Sequence, residues 1–231
     1  MSNSIAHLTV AHRILQTLPG LVTRPSAYYL GTLAPDTIGS KPGCTRDDKK
    51  RVHLRDGIRD ADWLNRDKMQ LFDDRIQTFV LGHIRNASLS AEQRDFNTGY
   101  LVHLLTDKWN HKTIRQTMLK IANDRGVQET DREFFYMMTN DLEALDQYLL
   151  TSQPQVKGLF ADTVCIPVQY SLPGYIETAY IEGSIHWWQN HYLPGIQSRS
   201  LLYITEDEID AFVALAAKEI VKELTPLILS N

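Results

Sequence analysis

Apolar positions recur at helical spacing through most of this chain. Ile5, Leu8, Val10, Ala11, Ile14, Leu15 and Leu18 make one broad apolar face that stops at Pro19-Gly20, which predicts a helix over residues 4–18. The run Tyr28-Tyr29-Leu30-Gly31-Thr32-Leu33-Ala34 then meets Pro35, whose ring bars helix continuation, so Asp36 is expected at the start of a loop. A polar, basic stretch (Lys41, Arg46, Lys49, Lys50, Arg51) extends that loop to His53. Over 54–85, Ile58, Trp63, Leu64, Met69, Leu71, Phe72, Ile76, Phe79, Val80 and Leu81 anchor one or two amphipathic helices.

Three Ser/Thr-x-x-Glu/Gln signatures mark the later helix starts. Ser90 with Gln93 opens a long central helix reaching about Asn123, ended by Asp124-Arg125-Gly126. Thr130 with Glu133 opens another, to about Leu150. Thr205 with Glu208 opens the last, with Ile209, Phe212, Val213, Ala216, Ile220, Val221 and Leu224 at helical spacing before Pro226. Residues 153–172 read as irregular, and 173–191 as a helix carrying His186 and Trp187-Trp188. Strand alternation, internal repeats and low-complexity tracts are missing from the pattern. The expectation is an all-α fold: one multi-helix bundle over 1–231, completed by helices within 131–225.

Composition narrows the function classes. A 231-residue chain with 43% hydrophobic and 23% charged residues suits one sizeable globular domain. A net charge of −4 and a pI near 6.0 give no electrostatic reason to expect nucleic acid or an anionic membrane as partner. No run approaches the ~18 apolar residues that cross a bilayer. Met1 to His7 lacks the basic region and apolar core of a secretory signal, so a cytoplasmic location is expected. Cys44 and Cys165 form neither a disulfide framework nor a Cys-x-x-Cys motif, so any metal site must use His, Asp and Glu.

Those residue types concentrate in Gly99-Tyr100-Leu101-Val102-His103-Leu104-Leu105-Thr106-Asp107-Lys108-Trp109-Asn110-His111. Steps of four place His103, Asp107 and His111 on one stripe of a helix whose other positions are apolar. Imidazole and carboxylate are ligands that zinc accepts at about 2.0–2.2 Å, and an ion would compensate a charged Asp in such a helix. A plain His–Asp hydrogen bond at i, i+4 is the alternative reading. Upstream, His7, Asp36 and His53 are further candidate ligands, with Asp141 and Asp146 behind them.

The order and spacing of Ala6-His7-Leu8, Leu30-Gly31-Thr32-Leu33-Ala34-Pro35-Asp36, His53-Leu54 and Gly99 to Trp109 resemble the zinc-dependent phospholipase C-like family, which shares its mainly helical fold with bacterial phospholipase C and P1 nuclease. The resemblance covers mainly the N-terminal half. It implies one metal between Asp36, His53, His103 and Asp107, with Asp107 bridging to a second metal that His7 also binds, and His111 or Asp141 as further ligands. The family's downstream His-x-x-x-Glu pattern, which serves a third metal, is absent, so one or two ions are expected: zinc, or manganese or iron. The implied activity is a phosphoric ester hydrolase acting on a small phosphate ester, with Asp36 orienting or deprotonating the attacking water. Two rivals stand beside it. A His-Asp dyad phosphohydrolase needs an adjacent His-Asp pair, and the chain has none. A non-catalytic helical binding protein would carry a structural or lapsed metal site.

Overall fold

The computed structural model describes residues 4–192 and 199–229. Helices carry the described chain, and its only β-type pairing is a single bridge between Leu172 and Ile176. In order they are α1 (Ser4–Thr17), α2 (Pro25–Leu33), a 3-10 turn (Ala34–Ser40), α3 (Arg46–Val52), a second 3-10 turn (Asp60–Leu64), α4 (Arg66–His83), α5 (Ala91–Lys112), α6 (Ile114–Asp124), α7 (Arg132–Ser152), α8 (Pro154–Thr163), α9 (Thr178–Trp187) with a π turn after it (Trp188–Tyr192), and α10 (Glu206–Leu224) with another (Thr225–Leu229). No described helix is long and apolar enough to cross a membrane.

The all-α expectation holds, and several boundaries move for identifiable reasons. Pro35 does end α2, but the chain tightens into a 3-10 turn that holds Asp36 within it, not in a loop. Pro is tolerated in a first turn, where its missing N–H is not needed. The basic stretch after Ser40 contains a short helix, α3, started by Thr45 and Asp48 in a reciprocal capping box. Residues 154–163 form α8, with Pro154 in its first turn, where an irregular segment was expected.

The long central helix stops at Lys112, and Thr113 breaks it before α6. The His111 carbonyl at that break accepts a hydrogen bond from the Gln116 side chain at 3.0 Å. Of the three capping signatures only Thr205–Glu208 forms both bonds. Ser90 caps Gln93 N–H, but the Gln93 amide is committed to Asn97 and to the Ser171 carbonyl. At the start of α7 the cap position is Asp131, one residue later than Thr130, and no side chain caps the helix there.

α5 is the axis of the bundle, buried almost continuously from Asp95 to Thr106. It packs against α1, α2, α4, α6 and α10. Its crossing with α2 depends on two glycines. A Cβ on Gly31 would stand 1.9 Å from the Phe96 carbonyl oxygen, and one on Gly99 would stand 1.9 Å from the Tyr28 carbonyl oxygen. With hydrogen in both places the two backbones touch. Asp95 on α5 fixes the entry to α2 by accepting from Thr23 N–H (2.9 Å), Thr23 Oγ1 (2.8 Å) and Arg24 N–H (2.7 Å). Tyrosines clip neighbours to this pair: Tyr28 OH donates to the Ala11 carbonyl of α1 at 3.1 Å, and Tyr100 OH to the Val52 carbonyl of α3 at 2.7 Å.

On another face of α5, the Lys108 ammonium spans Asp73 of α4 and Glu223 of α10 at 2.8 and 2.9 Å. Trp109 Nε1 donates to the same Glu223 at 2.9 Å. Two buried aspartates of α7 hold the remaining parts. Asp141 accepts the backbone N–H groups of Leu202, Tyr203 and Ile204 just before α10. Asp146 accepts Ile5 and Ala6 N–H at the start of α1, and the Tyr192 hydroxyl.

Candidate metal centre

Four elements converge on one point beside α5. α1 supplies His7, the 3-10 turn after α2 supplies Asp36, the C-terminus of α3 supplies His53, and α5 supplies His103 and Asp107. Two sets of three ligand atoms, His7/His103/Asp107 and Asp36/His53/His103, lie within 4.8 Å of one another.

Each side chain is placed by local structure. The glycine crossing brings the Thr32 carbonyl to 2.8 Å from His103 Nδ1, which donates to it. That bond leaves Nε2 as the unprotonated nitrogen, and Nε2 is fully buried without a partner in the chain. His53 is fixed in the same way, its Nδ1 donating to the Lys49 carbonyl at 2.8 Å. A second nitrogen tied to a carbonyl is the usual support of a metal-binding histidine.

His53 sits where α3 ends in a Schellman turn, with Leu54 N–H to the Arg51 carbonyl at 3.0 Å and Arg55 N–H to the Lys50 carbonyl at 2.7 Å. The turn needs a left-handed residue, and Leu54 occupies it at φ 55° where glycine is usual. His7 stacks flat on His103, with ring centroids 3.7 Å apart at 11°.

The carboxylates face these rings at a telling distance. His7 Nε2 is 3.4 Å from Asp107 Oδ1, and His53 Nε2 is 3.4 Å from Asp36 Oδ1. His53 and His103 Nε2 are 3.7 and 3.8 Å from Asp107 Oδ2. Such spacings exceed the ~2.7–3.2 Å of a hydrogen bond. They match the edge of a ligand tetrahedron, roughly 3.4 Å for bonds of about 2.1 Å. A plain His–Asp pair would close to hydrogen-bond length, so the geometry suits a cation between the groups.

Electrostatics points the same way. Burial, reinforced by His7, holds His103 down to a pKa of about 3, so it is neutral and free to ligate. Burial opposes ionisation of Asp36, yet His103, His53 and His7 outweigh it and bring its pKa to about 2. Asp107 is likewise held well below the carboxylate range against burial, by His7 and His103. Burial disfavours a charge on His7 as well, but Asp107 overcomes it and raises His7 above its ordinary value. Neutral imidazole with carboxylate is the donor set of zinc, and manganese and iron accept it too. The two carboxylates are about one-fifth exposed while the three rings are nearly closed off, so the centre opens on its carboxylate side.

His111 and Asp141 stand elsewhere. His111 Nε2 accepts a hydrogen bond from Arg55 at 2.7 Å, and its ring stacks on Trp63 at 4.7 Å and 5°. Asp141 spends its carboxylate on the backbone before α10 and on Asn140. Asp146 spends its own on the start of α1. Two basic residues of the stretch after Ser40 are also engaged: Lys41 and Arg51 both hold Asp48, at 2.7 and 2.9 Å. The spacing of ligand types did not reveal the carbonyls of Thr32 and Lys49, which orient two of the histidines. For the Thr32 carbonyl the visible signal was an isolated glycine inside each of two apolar helices, Gly31 and Gly99.

No family model, curated protein or solved structure matches this chain.

Proposed function

We propose that the protein is a metal-dependent phosphoric ester hydrolase whose centre takes two divalent ions, zinc first among them. The observation that carries this is the two-sided use of Asp107: Oδ1 faces His7, and Oδ2 faces His53 and His103. A carboxylate with imidazoles on both oxygens is arranged to bridge. One ion would be held by Asp36, His53, His103 and Asp107, the other by His7 and Asp107. When bound, such a pair acidifies water and withdraws charge from phosphoryl oxygens.

The residues do the rest. His103 and His53, locked by backbone carbonyls, keep their Nε2 atoms in place. The two-ligand side presents few protein groups and leaves positions for substrate, as catalytic sites do and closed structural sites do not. Asp36, partly exposed at the opening, is the carboxylate placed to accept a proton from an attacking water. The resemblance to the zinc-dependent phospholipase C-like family, carried by the same residues, supports this reading. A small phosphate ester is the substrate class it favours.

The test is elemental analysis of the purified protein, with Asp107→Ala and His103→Ala alongside, followed by aryl phosphate mono- and diesters offered to the loaded parent. The expected result is up to two equivalents of metal, reduced in both variants with the helical fold kept, and hydrolysis that only the parent performs. A parent that takes up no ion from micromolar zinc sinks the proposal. A parent that holds metal but cleaves none of the esters is the structural-metal protein instead.

A further inference from the structure

Six buried side-chain nitrogens among the described residues have no hydrogen-bond partner in the chain. His7 Nδ1 and His103 Nε2 belong to the metal centre. The other four, Arg55 Nε, Trp63 Nε1, His111 Nδ1 and Arg115 Nε, fall in one cluster next to it. Arg55 Nη2 donates to Asp60 Oδ1 at 2.6 Å, and Arg115 Nη2 donates to Oδ2 of the same carboxylate. Arg55 Nη1 donates to His111 Nε2 at 2.7 Å, and Trp63 lies flat against the His111 ring.

The protonation pattern follows from this bonding. Arginine has no lone pair to offer, so His111 Nε2 is the acceptor and Nδ1 carries the proton. Nδ1 stands 3.8 Å from Asp60, beyond hydrogen-bond reach. All four unpartnered nitrogens are therefore N–H donors. Two guanidinium groups against one carboxylate leave the cluster positive. Glu129 is within electrostatic reach of Asp60 and Arg115, and Arg59 and Arg46 are in turn close enough to act on Glu129. Buried donors without acceptors are costly, and a negatively charged group with several lone pairs is what relieves them.

We propose that Arg55, Trp63, His111 and Arg115 form a second, metal-independent site for a tetrahedral oxyanion of the phosphate class. His111 is one turn beyond Asp107 on α5, about 6 Å along the axis, and Arg55 is two residues beyond His53. The site therefore takes a second phosphate group of the ester held at the metal centre. This link to substrate rests on the phosphoesterase reading, whereas anion binding itself does not.

Orthophosphate titrated calorimetrically into chelator-stripped protein tests the site directly. The expected result is one saturable equivalent with a dissociation constant at or below the millimolar range. It is retained in His103→Ala, weakened about tenfold in Trp63→Phe, which leaves an aromatic ring there and removes the N–H donor, and abolished in Arg55→Gln with helical content unchanged. No saturable binding by the folded parent overturns the proposal, as does equal binding by Trp63→Phe and Arg55→Gln, or loss of binding in His103→Ala.

In the metal-loaded protein, an aryl ester with a second phosphate should show at least a tenfold lower KM than its monophosphate analogue. Arg55→Gln should erase that difference. Stripped protein that binds orthophosphate while the loaded protein cleaves no ester leaves the anion site standing and removes the phosphoesterase reading. Cleavage without orthophosphate binding does the reverse. Equal KM values for the two esters overturn the substrate assignment and leave free orthophosphate as the occupant.

Discussion

His53 and His103 each spend Nδ1 on a backbone carbonyl, and His7 does not: its Nδ1 is buried and unpartnered. His7 and His103 also differ in what protons do to them. His103, held to about 3, takes up no second proton at any ordinary pH, while Asp107 raises the pKa of His7 above its usual 6.5, so His7 holds an extra proton in acid. An ion on the His7 side must displace that proton. Its affinity should be full above the raised His7 value and fall roughly tenfold per pH unit below it. Metal titrations at pH 8 and pH 6 should show the second equivalent weakening with acid. His7→Ala should bind one equivalent at both pH values, and a variant still binding two would remove His7 from the centre.

Between helices, the site depends on a distance that a single methyl group would change. Gly31→Ala or Gly99→Ala forces the α2 and α5 backbones apart, since the added carbon meets a carbonyl oxygen that cannot rotate away. The expected cost is about 1–3 kcal/mol in urea unfolding, with a zinc affinity at least tenfold weaker because the Thr32 carbonyl moves off His103. Unchanged zinc affinity in a destabilised variant would mean the crossing serves packing alone.

The helix pattern was legible where apolar periodicity and reciprocal caps coincide, as from Thr205 to Leu224. It failed where side chains compete for backbone. Thr113 interrupts an otherwise continuous apolar stripe, and a run of basic residues concealed α3 although Thr45 and Asp48 spell a capping box. The ligand residues could be picked out by type and spacing. The displacement of His111 could not, because its partner Arg55 comes from 56 positions away.

Across the whole molecule, buried aspartates of α7 join parts that are remote in sequence. Asp146 accepts from the first turn of α1, and burial raises its pKa to about 7 despite the Tyr192 hydroxyl and two backbone donors. A carboxyl raised in the fold binds more protons folded than unfolded between its unfolded value near 3.9 and about 7. Its contribution is therefore greatest at low pH and is lost as pH rises through that window. Metal-free protein should lose roughly 3 kcal/mol from this group between pH 4 and pH 7.5, and Asp146→Asn should lack that slope. Chemical denaturation across the range measures it, and equal slopes in both proteins would show Asp146 to be ionised throughout.

α1 touches α2 and α5, but it also rests on α7, α8 and α10. The set Asp36, His53, His103 and Asp107 comes from the first 107 residues, but its supports do not: the turn holding Asp36 packs on α9, with the Ser40 and Ser184 hydroxyls 2.8 Å apart, and α5 packs on α10. On a ribosome, a nascent chain would thus carry every candidate ligand long before it carried the surfaces that seat them. Both Asp36 and His7 would wait for helices near the end of the chain, so an ion would be expected to settle after translation and not during it.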